Sequence, residues 1–388
     1  LRLRAKQQLE IAMALTREQI GQSAGKKLAA AAAGLSKTKA LIGLDGFVDE
    51  IIAVVDKRHS FNEFEPIKTI AVLGQKISNA AGQSSNYELV TRQMKLGGNG
   101  PIMANALASF GFAVTYIGGL GYPALHPVFQ EMAGRAKVIS IADAGHTDAL
   151  EFEDGKIMLG KITALDDVNW KNLLERVGKT ELTGMVDEAD LFGFVNWTML
   201  PHMSDIWEKM RTEIVPGVSK KGRKFFVDLA DPEKRTHDDI RAALQIVGKF
   251  QSAFDVILGL NLKEAGAILE VLGLPAAADP EAMIEETAKA IQQKLGIYCC
   301  VVHPRSGAAA ATATASAKFK GPFVKHPRIS TGAGDHFNAG FALGQVLGFT
   351  LEESLCTGVG TSGYYVRSGI SPTAAQLAEF VEQLPPPQ

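Results

Sequence analysis

The sequence predicts an α/β protein: a three-layer αβα sandwich around a mostly parallel central sheet, with a small β-sheet standing off it. Three observations carry that expectation. From about residue 165 onward, apolar strand-like runs alternate with amphipathic helical patterns. The runs Leu191–Asn196, Lys224–Leu229 and Val256–Leu260 are continuously apolar, as parallel strands covered on both faces are. Residues 57–96 instead mix short apolar patches with polar turns, which suits a small sheet outside the main body.

In chain order, residues 1–35 read as one or two helices rich in Ala, Lys, Gln and Leu, an N-terminal extension ahead of a main domain at 36–388. Within it, Gly21-Gln22-Ser23-Ala24-Gly25-Lys26-Lys27 imitates a phosphate-binding loop. It has three spacer residues instead of four, no Ser or Thr after the lysine and no preceding strand, so it reads as a helical break with a solvated basic face. Ala40–Leu44 is a buried strand that runs through Asp45-Gly46 into a half-exposed strand, Phe47–Asp56. Gly97-Gly98-Asn99 opens an Ala-rich helix that ends at Gly111, and strands follow at Val114–Ile117 and Val138–Ile141. Asp154-Gly155 between two apolar runs marks a hairpin over 150–161.

Helices at Val168–Val177, Met203–Thr212, His237–Phe250, Asn261–Leu272 and Pro280–Leu295 then alternate with strands, the last being Tyr298–Val302. Ala308–Ala317 is compatible with β-structure. Helices to Gly348, at Glu352–Val366 and at Thr373–Leu384 precede a disordered Pro385-Pro386-Pro387 tail. Gly358-Val359-Gly360-Thr361-Ser362-Gly363 matches the Gly-x-Gly-x-x-Gly dinucleotide pattern. It lies inside a helix with no following strand, so close helix packing is the better reading.

Composition narrows the function classes. The 388 residues are 46% hydrophobic and 21% charged, enough for a sizeable core, and the net charge of −2 gives no broad attraction to nucleic acid or membrane. The three cysteines form neither a disulfide framework nor a metal-ligand spacing, and read as buried thiols in a reducing compartment. No apolar run is long enough to cross a bilayer, and the first residues form a polar helical pattern instead of a signal-peptide core. A cytoplasmic protein is the expectation.

The most informative stretch is Ser330-Thr331-Gly332-Ala333-Gly334-Asp335, which leads into an apolar, small-residue helix. A helix start presents unpaired N–H groups and partial positive charge, and glycines clear the approach, so a phosphate-like anion fits there. An acid at such a place is repelled by the ligand. Asp335 therefore reads as a general base for an attacking hydroxyl, against the blander reading of an acid in a first helical turn. Asp49 lies at the end of an early strand, and Gly97-Gly98-Asn99 lets backbone approach a polar ligand. Asn261 and Glu264 follow a core strand at the carboxyl end of the sheet, where they equally suit a helix capping box.

Taken together, residues 40–370 resemble the PfkB family of carbohydrate kinases, which has the ribokinase-like fold. Ser330–Gly344 is similar to the family's C-terminal signature, Gly97-Gly98-Asn99 with Tyr116-Ile117-Gly118 to its N-terminal one, and Asn261-x-x-Glu264 to its Asn-x-x-Glu element. The resemblance implies an enzyme that moves the γ-phosphate of ATP to a hydroxyl of a sugar or related small molecule. It implies ATP and Mg²⁺ as cofactors. Asp335 is the implied base, with Gly332, Ala333 and Gly334 forming the catalytic cradle. Asp49, Gly97, Gly98 and Asn99 bind substrate. The resemblance likewise implies Asn261, Arg305, Gly307, Thr331 and Asn338 as nucleotide-binding residues and Glu264 as the residue that would hold Mg²⁺ through water. The small sheet becomes a lid drawn from 47–70, 86–96 and 147–163, whose closure excludes water and whose exposed strand edges suit a homodimer. A small hydroxylated substrate is the expected partner, with neither nucleic acid nor membrane.

The departures are local. Ile102 stands where the family often has Asn, and His303-Pro304-Arg305 replaces its usual Thr-Leu-Gly. Ile329 replaces an Asp that supports a monovalent-cation site, and Asp228-Leu229-Ala230-Asp231 replaces Asp-x-Asn-x-Arg. A nucleoside kinase and a catalytically silent sugar- or nucleotide-binding protein remain open alternatives. A nicotinamide-dependent dehydrogenase rests on the Gly358 pattern alone.

Overall fold

The structure, a computed structural model, describes residues 15–387. Its main body is built on a nine-stranded sheet. From one edge the order is Ser316–Lys320, Gly307–Thr312, Cys299–Val302, Asp255–Leu260, Lys224–Asp228, Leu191–Phe194, Lys39–Leu44, Ala113–Gly119 and Lys137–Ala142. The first two strands are antiparallel to their neighbours and the rest are parallel.

Successive residues of a strand point to opposite faces, and here both faces are apolar. Phe192, Phe194, Phe225, Val227 and Leu258 enter one buried cluster, whereas Leu191, Phe226, Ile257 and Val301 enter the other. Helices cover both clusters. On the first face Phe192 stacks on Phe225 at 4.8 Å, with Phe250 and Phe254 against them. On the second, Phe337 and Phe341 from the helix Ala333–Val346 fill the same role.

The small sheet is mixed. Phe47–Arg58 pairs antiparallel with Leu89–Gly97 and Phe64–Pro66 and parallel with Gly145–Phe152, which carries Gly155–Lys161 at its other edge. One face is closed by the helix Ile70–Asn79, burying Ile52, Val54, Ile67, Leu73, Leu150 and Phe152. Large apolar side chains nevertheless stay open at its edges, among them Met94, Met158, Leu159 and Phe61, which is 92% exposed. Lys39–Leu44 belongs to the main sheet and Phe47–Arg58 to the small one, so Asp45-Gly46 is the junction between them.

Several local expectations are corrected. Residues 21–27 are no helical break but part of one continuous helix, Arg17–Ala31. Its glycines are contact points: a Cβ at Gly21 would lie 2.4 Å from the Val381 carbonyl oxygen, and one at Gly25 2.7 Å from that of Ala378. Ile20, Ala24 and Leu28 are buried beneath it, and Lys27 pairs with Glu353 at 2.6 Å. The described part of the extension is thus one of the covering helices; its first fourteen positions lie outside the described residues.

Helices at Ile70–Asn79 and Lys179–Glu188 were not expected. The proline tail is tied at its start, where Arg17 donates to the carbonyls of Leu384 and Pro385. All three cysteines are free and buried. Among the described residues no helix is long and apolar enough to cross a membrane.

Candidate active site

Two helix starts and three loops converge at the carboxyl end of the parallel strands. The first helix is Ala333–Val346. Gly332 precedes it with φ of 86°, a left-handed conformation that glycine adopts without strain. The Ala333 N–H is used by the Ser330 carbonyl at 3.2 Å and the His336 N–H by Gly332. Those of Gly334 and Asp335 have no backbone or side-chain partner among the described residues. Of the expected cradle Gly332, Ala333 and Gly334, the Ala333 N–H is thus taken, and the open N–H groups of the helix's first turn are those of Gly334 and Asp335.

Two aromatic residues fix the loop from behind. His336 bonds the Gly332 carbonyl through Nδ1 at 2.7 Å, Tyr365 donates to the Thr331 carbonyl at 3.0 Å, and the two rings stack 3.6 Å apart. Burial lowers His336 to about 4, so the ring is neutral and Nδ1–H can donate.

Asp335 is 7% exposed, and its Oδ1 accepts from Asn99 Nδ2 at 2.8 Å. Burial, then the charge of Asp228, holds its carboxyl well above the usual carboxylate range.

The second helix, Asn99–Phe110, follows Gly98, whose φ is 95°. Its N–H groups are not open to a ligand. Asn99 N and Gly100 N donate to the two oxygens of Asp45, each at 2.9 Å, and Asn196 Nδ2 adds a third bond at 2.7 Å. Tyr116 donates to the Asp45 carbonyl at 2.5 Å. Burial pushes Asp45 up to about 6, against the pull of these bonds. Sequence reasoning passed over Asp45, although an acid interrupting the apolar run Ala40–Phe47 was a usable signal.

Asp49 is not at a strand end. It is the third residue of Phe47–Arg58, at the root of the small sheet. It is 5% exposed and lies over Gly97, where a Cβ would stand 2.3 Å from Asp49 Cγ. Gly97 is thus required by the carboxylate beside it. Burial, then the charges of Asp335 and Asp49, pushes the Tyr365 hydroxyl up to about 12.

Asn261 and Glu264 form the capping box of the helix Leu262–Val271. Glu264 Oε2 accepts from Asn261 N at 2.8 Å and Oε1 from Asp231 N at 2.9 Å. Asp228 accepts from Ala230 N and from Asn338 Nδ2 at 2.7 Å. Burial raises both carboxyls first, and the charge of Asp228 raises Glu264 further.

No group of three metal-ligating side chains stands close enough to hold an ion directly among the described residues. Yet Asp228, Glu264 and Asp335 disfavour one another's ionised forms in a buried setting. A hydrated divalent cation fits that donor set: each Glu264 oxygen uses one lone pair on a backbone N–H and keeps another for water.

The nucleotide-side residues separate. Asn261, Arg305, Gly307, Ala333 and Gly334 line a cleft of about 320 Å³ with an apolar wall from Phe323, Val359 and Val366. His303 joins them, its ring 4.6 Å from Phe337 and its Nε2 buried without a partner. Thr331 lies outside this cleft, on a second one of about 780 Å³ between the lid hairpin and the 325–331 loop. Asn338, expected at the nucleotide, is 1% exposed and does not line the first cleft; its Nδ2 donates to Asp228, while its Oδ1 is buried without a partner among the described residues.

The Gly358 pattern sits wholly within the helix Leu351–Ser368. A Cβ at Gly358 would meet Phe337 and one at Gly360 would meet Val381, so both glycines serve packing. No strand-to-helix turn forms there, which removes the basis of the dehydrogenase reading.

The family described as prokaryotic ketohexokinase matches residues 18–384. A ketohexokinase of Haloferax volcanii is 30% identical over 344 residues, covering 88% of this chain and 90% of that protein. A carbohydrate kinase from Agrobacterium tumefaciens superposes with a TM-score of 0.62 at 19% identity, over 90% of this chain and 98% of that one. Arabidopsis thaliana ribokinase, solved with ribose and ATP, gives a TM-score of 0.59 at 15% identity over 89% and 98%. At these identities the solved structures establish the ribokinase-like fold.

Proposed function

The chain belongs to the prokaryotic ketohexokinase family and is a carbohydrate kinase, and we propose that it transfers the γ-phosphoryl group of ATP to a hydroxyl of a ketohexose such as fructose. The observation that carries the reaction is the open helix start at Gly334 and Asp335 with a buried carboxylate in its first turn.

The chemistry follows from that arrangement. The attacking hydroxyl lies against Asp335, which takes its proton as the new oxygen–phosphorus bond forms and the bond from the γ-phosphorus to the bridging oxygen breaks, with ADP as the leaving group. Asn99 Nδ2 occupies Oδ1, and Oδ2 has no hydrogen-bond partner among the described residues, which leaves it available as the base. The N–H groups of Gly334 and Asp335 point where charge grows on the transferring group, and they are fixed in advance by His336 and Tyr365. Asp49 accepts from substrate hydroxyls. The apolar wall of the cleft suits a nucleotide base, with Asn261 and Gly334 at its polar end. Mg²⁺ held through water by Asp228 and Glu264 would neutralise phosphate charge. The lid's exposed Met94, Met158 and Leu159 support a homodimer through its edges, readable by light scattering.

The direct test is a Mg-ATP assay across fructose, other ketohexoses, glucose, ribose and adenosine, with the product identified by NMR. A ketohexose phosphate with the highest kcat/KM is the expected result. Turnover confined to adenosine would move the chain to the nucleoside kinases, and ATP binding without turnover on any acceptor would sink the catalytic reading.

A further inference from the structure

One charged group at the site has no work in the scheme above. Lys95 lies directly across the antiparallel pair from Asp49, and Thr147 lies across from Asp49 on the parallel side. Residues in register on neighbouring strands share a face, so the three side chains emerge together on the inner face of the lid. Thr147 is buried.

The neighbouring lysines on the lid are engaged: Lys156 with Glu151 at 3.1 Å and Lys161 with Asp148 at 2.8 Å. Lys95 is half-buried and makes no ion pair or side-chain hydrogen bond among the described residues. Burial holds its ammonium below the usual value, with the charge of Asp49 opposing the shift. A desolvated ammonium without a partner is costly; its natural partner is something that arrives.

Resting on the reading of this site as that of a sugar kinase, we propose that Lys95 is a substrate-binding, specificity-determining residue that works with Asp49 to read neighbouring hydroxyls of a neutral polyol. A hydroxyl both donates and accepts. Asp49 takes the proton of one, and Lys95 donates to a lone pair of the same or the adjacent oxygen, a pairing that a lone carboxylate cannot make.

Charge selects the neutral class. On this face Asp49 and Glu151 balance Lys95 and Lys156, and Asp335 adds a further acid beyond them. There is no positive excess to hold a carboxylate or phosphate on the sugar.

The experiment compares wild type with Lys95→Met, which keeps the aliphatic stem and removes the ammonium. One charge-assisted hydrogen bond gives an expected rise in KM for fructose of about ten- to hundredfold. kcat, KM for ATP and the melting temperature should hold. A monodeoxy series sharpens the test: the analogue lacking the hydroxyl that Lys95 reads should be used equally well by both proteins, while the other analogues keep the difference.

An unchanged KM for fructose, or a loss uniform across every deoxy analogue, overturns the assignment. So does a wild-type preference for a sugar acid or sugar phosphate that collapses in the variant. Wild-type protein that phosphorylates no acceptor overturns the kinase reading itself and this assignment with it, and wild-type turnover on charged sugars or nucleosides alone overturns the assignment while leaving a kinase. Turnover in wild type with an unaltered variant overturns the assignment alone.

Discussion

Two glycine-rich helix starts face each other across the site, Gly97-Gly98-Asn99-Gly100 and Gly332-Ala333-Gly334-Asp335. Each has a positive-φ glycine before the first turn and a small-residue helix after it. By residue type either could cradle an anion. The protein fills the first one itself. Asp45 places both carboxylate oxygens on the N–H groups of Asn99 and Gly100, whereas Gly334 and Asp335 keep theirs open. A helix start becomes a ligand site only where the chain withholds its own anion. The filled start serves the open one, because the helix that Asp45 anchors presents Asn99 to Asp335.

The strongest way to break this comparison is Asp335→Asn, which keeps an oxygen for Asn99 and removes the base. kcat should fall about 10²- to 10⁴-fold with a small change in KM. Turnover within tenfold of wild type would mean that the open start holds phosphate but that the proton leaves elsewhere.

Next in size is Asp45→Ala, which empties the filled start. Two buried N–H groups and the Asn196 amide lose their acceptor, and the loss should lower the unfolding free energy by about 3 kcal/mol in urea titration. Asn99 would no longer be held, so kcat should fall as well. A variant as stable as wild type would show that water replaces the carboxylate and that Asp45 is not what distinguishes the two ends.

The unequal roles of the two starts explain what could be read from the residues beforehand. The alternation of strands and helices, the open cradle and the Asn261–Glu264 capping box are local patterns, and each leaves a sequence signature. The Asp45 bond set joins Asp45 to residues 99, 100 and 196, and no local pattern encodes a contact over that separation. Asn338 misled for the same reason. The family resemblance implied a nucleotide contact for it, while its Nδ2 turns inward to Asp228, far away in the sequence. The helix at 70–79 was hidden because its apolar stripe, with Leu73 and Ile70, is short and covers only a small sheet.

Alanine in place of glycine sharpens the comparison at the two ends. At Gly334 a Cβ would meet only His303 Cε1, at an ordinary 3.5 Å. Gly334→Ala should therefore keep its melting temperature while its methyl stands in the phosphate's space, raising KM for ATP about tenfold, which is near 1.4 kcal/mol. At Gly97 the Cβ would collide with Asp49, so Gly97→Ala should lose affinity for sugar and about 1–3 kcal/mol of stability. Equal effects on ATP from both variants would erase the functional difference between the starts.

The smallest expected effect comes from the acids beneath the open start. Asp228, Glu264 and Asp335 all have carboxyls raised by burial. For an acid whose value is raised on folding, the protonated form is the favoured one in the native state. Its contribution to stability is full below the usual carboxylate value, near about pH 4, and is lost as pH rises through the raised value. The protein without metal should therefore lose stability from about pH 4 up through about pH 8, as pH passes the raised values of Asp228, about 6, and Glu264, about 8. A divalent cation favours the ionised carboxylates, so the rise in melting temperature on adding Mg²⁺ should grow over the same interval, reaching a few degrees (about 1 kcal/mol). Glu264→Gln should flatten both the pH slope and the Mg²⁺ response. A response equal at both ends of the range in wild type would place the cation away from these carboxylates, and the open helix start would then have to balance phosphate charge without them.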